Sequence, residues 1–344
     1  MFPRFAYPDS MQLPSLEQVW AARSLVYRHM PPTPQFTWPL LNRRLGTEAW
    51  IKHENHTPVG AFKIRGALVY LSWLKEQQPQ LAGVIAATRG NFGQGVAMAA
   101  RLFGLRCTIV VPQANSTEKN RAMQAQGAEL IEQGLDFQES LEHARVLADE
   151  RGLALIESFH QRLVMGTGTY ALELFEGAPP LDTLYVPIGL GSSICGVAAV
   201  RNALGLATQI VGVVAEDSPS YARSFHARKL VEAPSHTAIA DGLACRTPNA
   251  EALEIVFGNV ARVLAVSDAE IALAMRAYYE DTHNLAEGAG AAALAGALRE
   301  KETLREKRIG IVLTGGNVDR TVYAAVLNST SKFAKTIESP ARKT

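Results

Sequence analysis

The stretch HENHTPVGAFKIRGAL, residues 53–68, places Lys63 just behind a Pro58-Val59-Gly60 turn and beside Phe62. A lysine at a helix start is usually a solvated charge. Here its flanks are Ala61, Phe62, Ile64, Gly66 and Ala67, all apolar or small. Such flanks permit burial, and burial lowers an ammonium pKa toward the range a carbonyl-capturing lysine needs.

On the C-terminal side the pattern alternates strand and helix. GVIAAT (83–88) reads as a buried parallel strand, 93–104 as an alanine-rich helix and RCTIVVP (106–112) as a β-branched strand. Asn115, with Glu118 three residues on, predicts the next helix start. Strands at 128–134 and 152–157 flank a helix at 136–150. A second set follows Pro180: strands at 181–189 and 209–216, helices at 191–205 and 287–300, and a final strand within 308–317. Ser267 with Glu270 predicts a capped helix over 267–282. Alternating strands and helices imply α/β architecture with parallel sheets.

Three strands end in glycine turns: TRGNFGQG (88–95), IGLGSSICG (188–196) and TGGN (314–317). Ligands in open α/β sheets sit beyond the carboxyl ends of strands. A helix opening at the second turn would offer backbone N–H groups to a phosphate. That turn has a rival reading: Gly189-x-Gly191 with Glu216 mimics a nicotinamide-dinucleotide fingerprint. The third glycine is missing at 194, and Gly196 does not replace it.

Taken together, these segments resemble the fold type II pyridoxal phosphate enzymes, most of all the serine/threonine dehydratase (threonine ammonia-lyase) and serine racemase group. The likeness runs from about residue 30 to 325. GAFKIRGA (60–67) resembles the cofactor-lysine motif, TRGNFGQG the Ser-Ser-Gly-Asn-His-x-Gln-Gly loop, and PIGLGSSICG (187–196) the phosphate loop. DGLA (241–244), EGAGA (287–291) and TGGNVD (314–319) match further signatures.

The resemblance implies a tryptophan synthase β-like fold of two parallel-sheet domains, the smaller inserted in the larger. Residues 1–75 and 160–330 would form the large cofactor-binding domain, 83–158 the small substrate-loop domain and 331–344 a polar tail. Lys63 would hold pyridoxal 5'-phosphate as a Schiff base and act as catalytic base. Phe62 would pack near the ring, Asn91 bond its hydroxyl, Gly242 lie along it and Glu287 near its other side. Gly189, Leu190, Gly191, Ser192 and Ser193 would cradle the phosphate. Thr314 would face the ring nitrogen; its hydroxyl does not keep that nitrogen protonated, which favours prompt β-elimination. Thr88, Arg89, Gly90, Asn91 and Phe92 would receive the substrate carboxylate.

Departures from the pattern carry information. Thr88 and Arg89 replace two serines, and Phe92 replaces a histidine. Arginine stays charged and shuttles protons poorly, so racemization is not expected. For a divalent metal, Glu216 fits one ligand position of some relatives, but Ala222 occupies another; no metal is expected, with Glu216 the one weak candidate. The implied reaction is β-elimination from L-threonine or L-serine, giving a 2-oxo acid and ammonia. Arg89 leaves 3-hydroxyaspartate as an alternative substrate. A nicotinamide-dependent oxidoreductase and a non-catalytic ligand-binding relative are the rival functions.

Composition bounds the rest. Lys+Arg number 34 against Asp+Glu 33, a net charge of +1, so no nucleic-acid field is expected. No run of eighteen apolar residues suggests a membrane span. Cys107, Cys195 and Cys245 form no CxxC pair, which fits reduced thiols and a cytoplasmic setting. The expected partners are a small amino acid substrate and a second copy, as homodimer or higher homo-oligomer.

Overall fold

A computed structural model describes residues 12–329, so the expected polar tail at 331–344 lies outside the described residues. Two sheets organise the chain. The larger has six strands in the order β1-β2-β10-β7-β8-β9. These are β1 (Gln35–Thr37), β2 (Glu48–His53), β7 (Thr183–Pro187), β8 (Gln209–Ala215), β9 (Arg262–Val266) and β10 (Arg308–Leu313). The smaller has β3 (Gly83–Ala87), β4 (Arg106–Val111), β5 (Glu129–Glu132) and β6 (Ala154–Leu155), in the order β5-β4-β3-β6. All four of its strands run parallel. The expected α/β parallel-sheet architecture holds, with one correction: β1 is an antiparallel edge strand on β2.

The local signals act as their chemistry requires. Ser267 Oγ accepts from the Glu270 N–H (3.3 Å), and Glu270 accepts from the Ser267 N–H (2.8 Å), closing a capping box at the start of the helix Asp268–Thr282. The helix expected to start at Asn115 instead has Ser116 as its cap, its hydroxyl accepting from the Lys119 N–H. Asn115 turns aside to Asn120, and Glu118 accepts from the Arg320 N–H. The alanine-rich helix begins at Asn91 rather than 93, and β6 is two residues long. Strands β7 and β10 are almost wholly buried. The small-residue helix Gly288–Arg299 covers the larger sheet, its Gly296 lying against Val213.

The helix that carries the decisive lysine, Lys63–Gln77, joins the two sheets in the chain, running from β2 toward β3. It is fixed by a buried ion network. Arg65 is 0% exposed and bonds Glu54 (2.7 Å) and Glu173 (2.7 Å), while Lys52 bonds Glu173 at 2.6 Å. Thr33 and Thr169 take up remaining guanidinium donors. Buried charges persist only when paired and hydrogen-bonded in this way.

Candidate active site

The carboxyl ends of β3, β7 and β10 open onto one cavity of about 900 Å³. Phe62, Lys63, Thr88, Arg89, Gly90, Asn91, Phe92, Gly189, Leu190, Gly191, Ser192, Ser193, Gly242, Glu287 and Thr314 all line it. Segments separated by more than two hundred residues thus meet where the glycine turns placed them. Glu216 does not line the cavity; it is exposed beyond β8. Among the described residues no cluster of three metal-ligating side chains occurs. His53 and His56 also lie off the cavity; His53 accepts from the Trp38 indole at 3.0 Å, and burial pushes its pKa down to about 4.

Lys63 opens its helix, and its Nζ lies 5.1 Å from the Phe62 ring centroid. Burial pushes its ammonium down to about 8, against the opposing pull of Glu287. Phe62 is held by its N–H, which donates to the Thr314 carbonyl (3.1 Å). Glu287 is 3% exposed and is the N-cap residue of the helix Gly288–Arg299, its side chain making no capping bond. Burial pushes its carboxyl up to about 7, although Lys119 pulls the other way. The Asn91 amide donates to Glu287 (2.6 Å) and accepts from Asn317 (2.9 Å). One Asn91 N–H therefore remains for a ligand.

The loop before the helix Ser192–Ala203 fits a phosphate. Gly191 has φ +105° and caps that helix with no side chain, leaving first-turn N–H groups for an anion. A Cβ at Gly191 would lie 2.6 Å from Ala252 Cβ, and one at Gly189 would lie 2.5 Å from the Gly242 carbonyl. Ser193 shares its hydroxyl with Tyr170 at 2.6 Å. Across the cavity, Thr88 Oγ1 accepts from the Gly90 N–H, which shapes the 88–92 turn. Arg89 is exposed and makes no hydrogen bond or ion pair with any described residue. A buried lysine, a helix N-terminus capped by a glycine and a buried hydroxyl at 314 together suit pyridoxal phosphate.

Among the cavity residues not assigned a role from the sequence, one ion pair stands out. Lys119 and Asp241 form an ion pair across the opening at 2.5 Å. The DGLA signature marked the neighbourhood of Asp241, but nothing in PQANSTEKN (112–120) distinguishes Lys119 from a solvated lysine.

Comparison with known proteins points to one family. Residues 26–315 match the family described as "Pyridoxal-phosphate dependent enzyme". A Pseudomonas L-threo-3-hydroxyaspartate ammonia-lyase is 36% identical over 318 residues, covering 92% of this chain and 99% of the relative. An L-threonine ammonia-lyase from Thermotoga maritima is 33% identical over 290 residues, covering 84% and 72%. The structure of maize serine racemase superposes with a TM-score of 0.86 at 30% identity, covering 91% and 97%. The chain belongs to the pyridoxal-phosphate dependent enzyme family, of fold type II.

Proposed function

We propose that this chain is an ammonia-lyase that removes the elements of water from a β-hydroxy amino acid, releasing a 2-oxo acid and ammonia, with 3-hydroxyaspartate as the substrate the site fits best. The observation that carries the substrate choice is Arg89, a guanidinium at the cavity with no protein partner among the described residues. L-Threonine and L-serine fit the same elimination chemistry but leave that charge unused. The relatives named for 3-hydroxyaspartate and for L-threonine support one reaction class with two side-chain preferences.

Lys63 would hold the cofactor aldehyde, the 189–193 loop its phosphate, and Thr314 would face its ring nitrogen. When bound, pyridoxal phosphate supplies the conjugated electron sink that acidifies an amino acid's α-C–H bond. The turn at 88–92, at the N-terminus of the helix Asn91–Leu102, would hold the α-carboxylate through backbone N–H groups. Arg89 would take the β-carboxylate in a bidentate contact. Lys63, brought near neutrality by burial, would take the α-proton at Nζ. As the α-proton and β-hydroxyl leave, the product enamine tautomerizes and hydrolyses, releasing ammonia.

The reading includes a large cofactor domain around the six-stranded sheet, a small substrate-loop domain around the four-stranded one, and a homodimer or higher homo-oligomer acting in the cytoplasm. No helix among the described residues is long and apolar enough to cross a membrane. The three cysteines are buried and unpaired. Phe36 and Leu285 leave apolar surface exposed that a second copy could cover.

The test is ammonia release from 3-hydroxyaspartate, threonine and serine by the wild type and Arg89→Ser. Expected is a kcat/KM lowered about 10- to 100-fold on 3-hydroxyaspartate alone, the worth of a charge-assisted contact. Unchanged kinetics on all three would remove Arg89 from the substrate site. No ammonia from any of them would remove the lyase reading.

A further inference from the structure

Four segments bring charged or polar groups to one carboxylate at the cavity. Glu287 Oε1 accepts from Asn91 at 2.6 Å, while Oε2 is buried with no hydrogen-bond partner. Lys119 Nζ stands 3.9 Å from that oxygen. The same ammonium bonds Asp241 at 2.5 Å, so it sits between two carboxylates of unequal distance. Its stem is fixed as well. A Cβ on Gly90 would lie 2.5 Å from Lys119 Cδ, so the lysine runs directly beneath the turn assigned to the substrate carboxylate. Lys119 and Gly90 belong to the smaller-sheet half of the chain, Asp241 and Glu287 to the larger-sheet half.

We propose that Lys119 is a positioning residue that sets the charge on Glu287, with Asp241 dividing its hold, so that closure across the cavity and the charge beside Lys63 are linked. The charged groups facing Glu287 are Lys63 from the helix Lys63–Gln77, Lys119 from the helix Thr117–Ala125, and Asp241 from the 241–243 turn; Asp319 also faces Lys119. Burial favours the neutral acid, Lys119 and Lys63 favour the carboxylate, and Asp241 opposes it. Drawing the two halves apart would remove Lys119 from Glu287. The carboxyl would then protonate more readily and Lys63 would lose an ion that favours its charged form. A shut site would thus hold a different proton count from an open one.

The consequence for Lys63 rests on the reading of that residue as the base, but the test does not. Holoprotein labelled with ¹³C-carboxyl glutamate is titrated, and the protonated carboxyl stretch in the infrared is assigned to Glu287 by its loss in Glu287→Gln. Lys119→Met keeps the stem and removes the charge. It is expected to raise the Glu287 midpoint by about one pH unit or more. Asp241→Asn removes the competing charge and is expected to lower the midpoint. Opposite shifts support the proposal. A merely loosened cavity would admit water and lower the midpoint in both variants, so shifts of one sign, or none, overturn it. Should Lys119→Met fail to fold, Lys119→Gln takes its place: a raised midpoint supports the proposal, and an unchanged or lowered one overturns it.

Discussion

At the scale of single residues, Lys63 ties sequence to chemistry. Its small and apolar flanks announced burial, and burial brings its ammonium down to about 8. Lys63 can take the α-proton only after the substrate has freed its amine, and only unprotonated, so the sign is fixed: kcat falls as pH drops below about 8, roughly tenfold per unit. A pH–rate profile with no acid limb between 6 and 8 would contradict this. Lys63→Ala should lose at least about a hundredfold in ammonia release and the borohydride-sensitive visible band of bound cofactor. Arg89 was equally legible, because an arginine inside a glycine turn is conspicuous. Lys119 was not: its importance comes from Asp241, more than a hundred residues on, and no local pattern encodes that pairing.

At the scale of elements, the strands with strong apolar runs were readable, as were the more exposed β5 and β6 beside them, whereas β1, β2 and β9 were not. β3, β4, β7, β8 and β10 are nearly or wholly buried and read as continuous hydrophobic segments. β2 carries Lys52 and His53, both buried, which breaks that pattern; β1 is a three-residue edge whose Phe36 faces solvent. β9 is only half buried. Their places are dictated by neighbours rather than by their own composition. The glycine turns were legible because they need backbone that other residues cannot supply. Gly191→Ala tests this for the phosphate loop. A side chain at φ +105°, 2.6 Å from Ala252 Cβ, must shift the loop. Affinity for pyridoxal phosphate, measured by absorbance titration of the stripped protein, should fall about tenfold or more. Full retention would mean that the cradle lies elsewhere.

At the scale of the whole molecule, the cavity depends on buried charges that do not line it. Glu173 accepts from the Thr33 N–H and from Tyr27, Lys52 and Arg65, joining the N-terminal segment, β2, the lysine-bearing helix and its own helix Gln161–Gly177. Burial pushes the Glu173 carboxyl up, but Arg65 and Lys52 together hold it below the ordinary carboxylate range. Removing its charge leaves the buried Lys52 without its bonded carboxylate and Arg65 with Glu54 alone. Glu173→Gln should therefore cost about 3–5 kcal/mol in chemical denaturation of the holoprotein. The pH dependence follows from the depressed pKa. The stabilisation is present above the unfolded carboxylate pKa and is lost as pH falls through the lower folded value. The wild type should lose part of its stability on acidification through that window, and the glutamine variant should lose less over the same range. Equal acid sensitivity in both proteins would show that Glu173 is not the charge that ties the lysine helix to the rest of the fold.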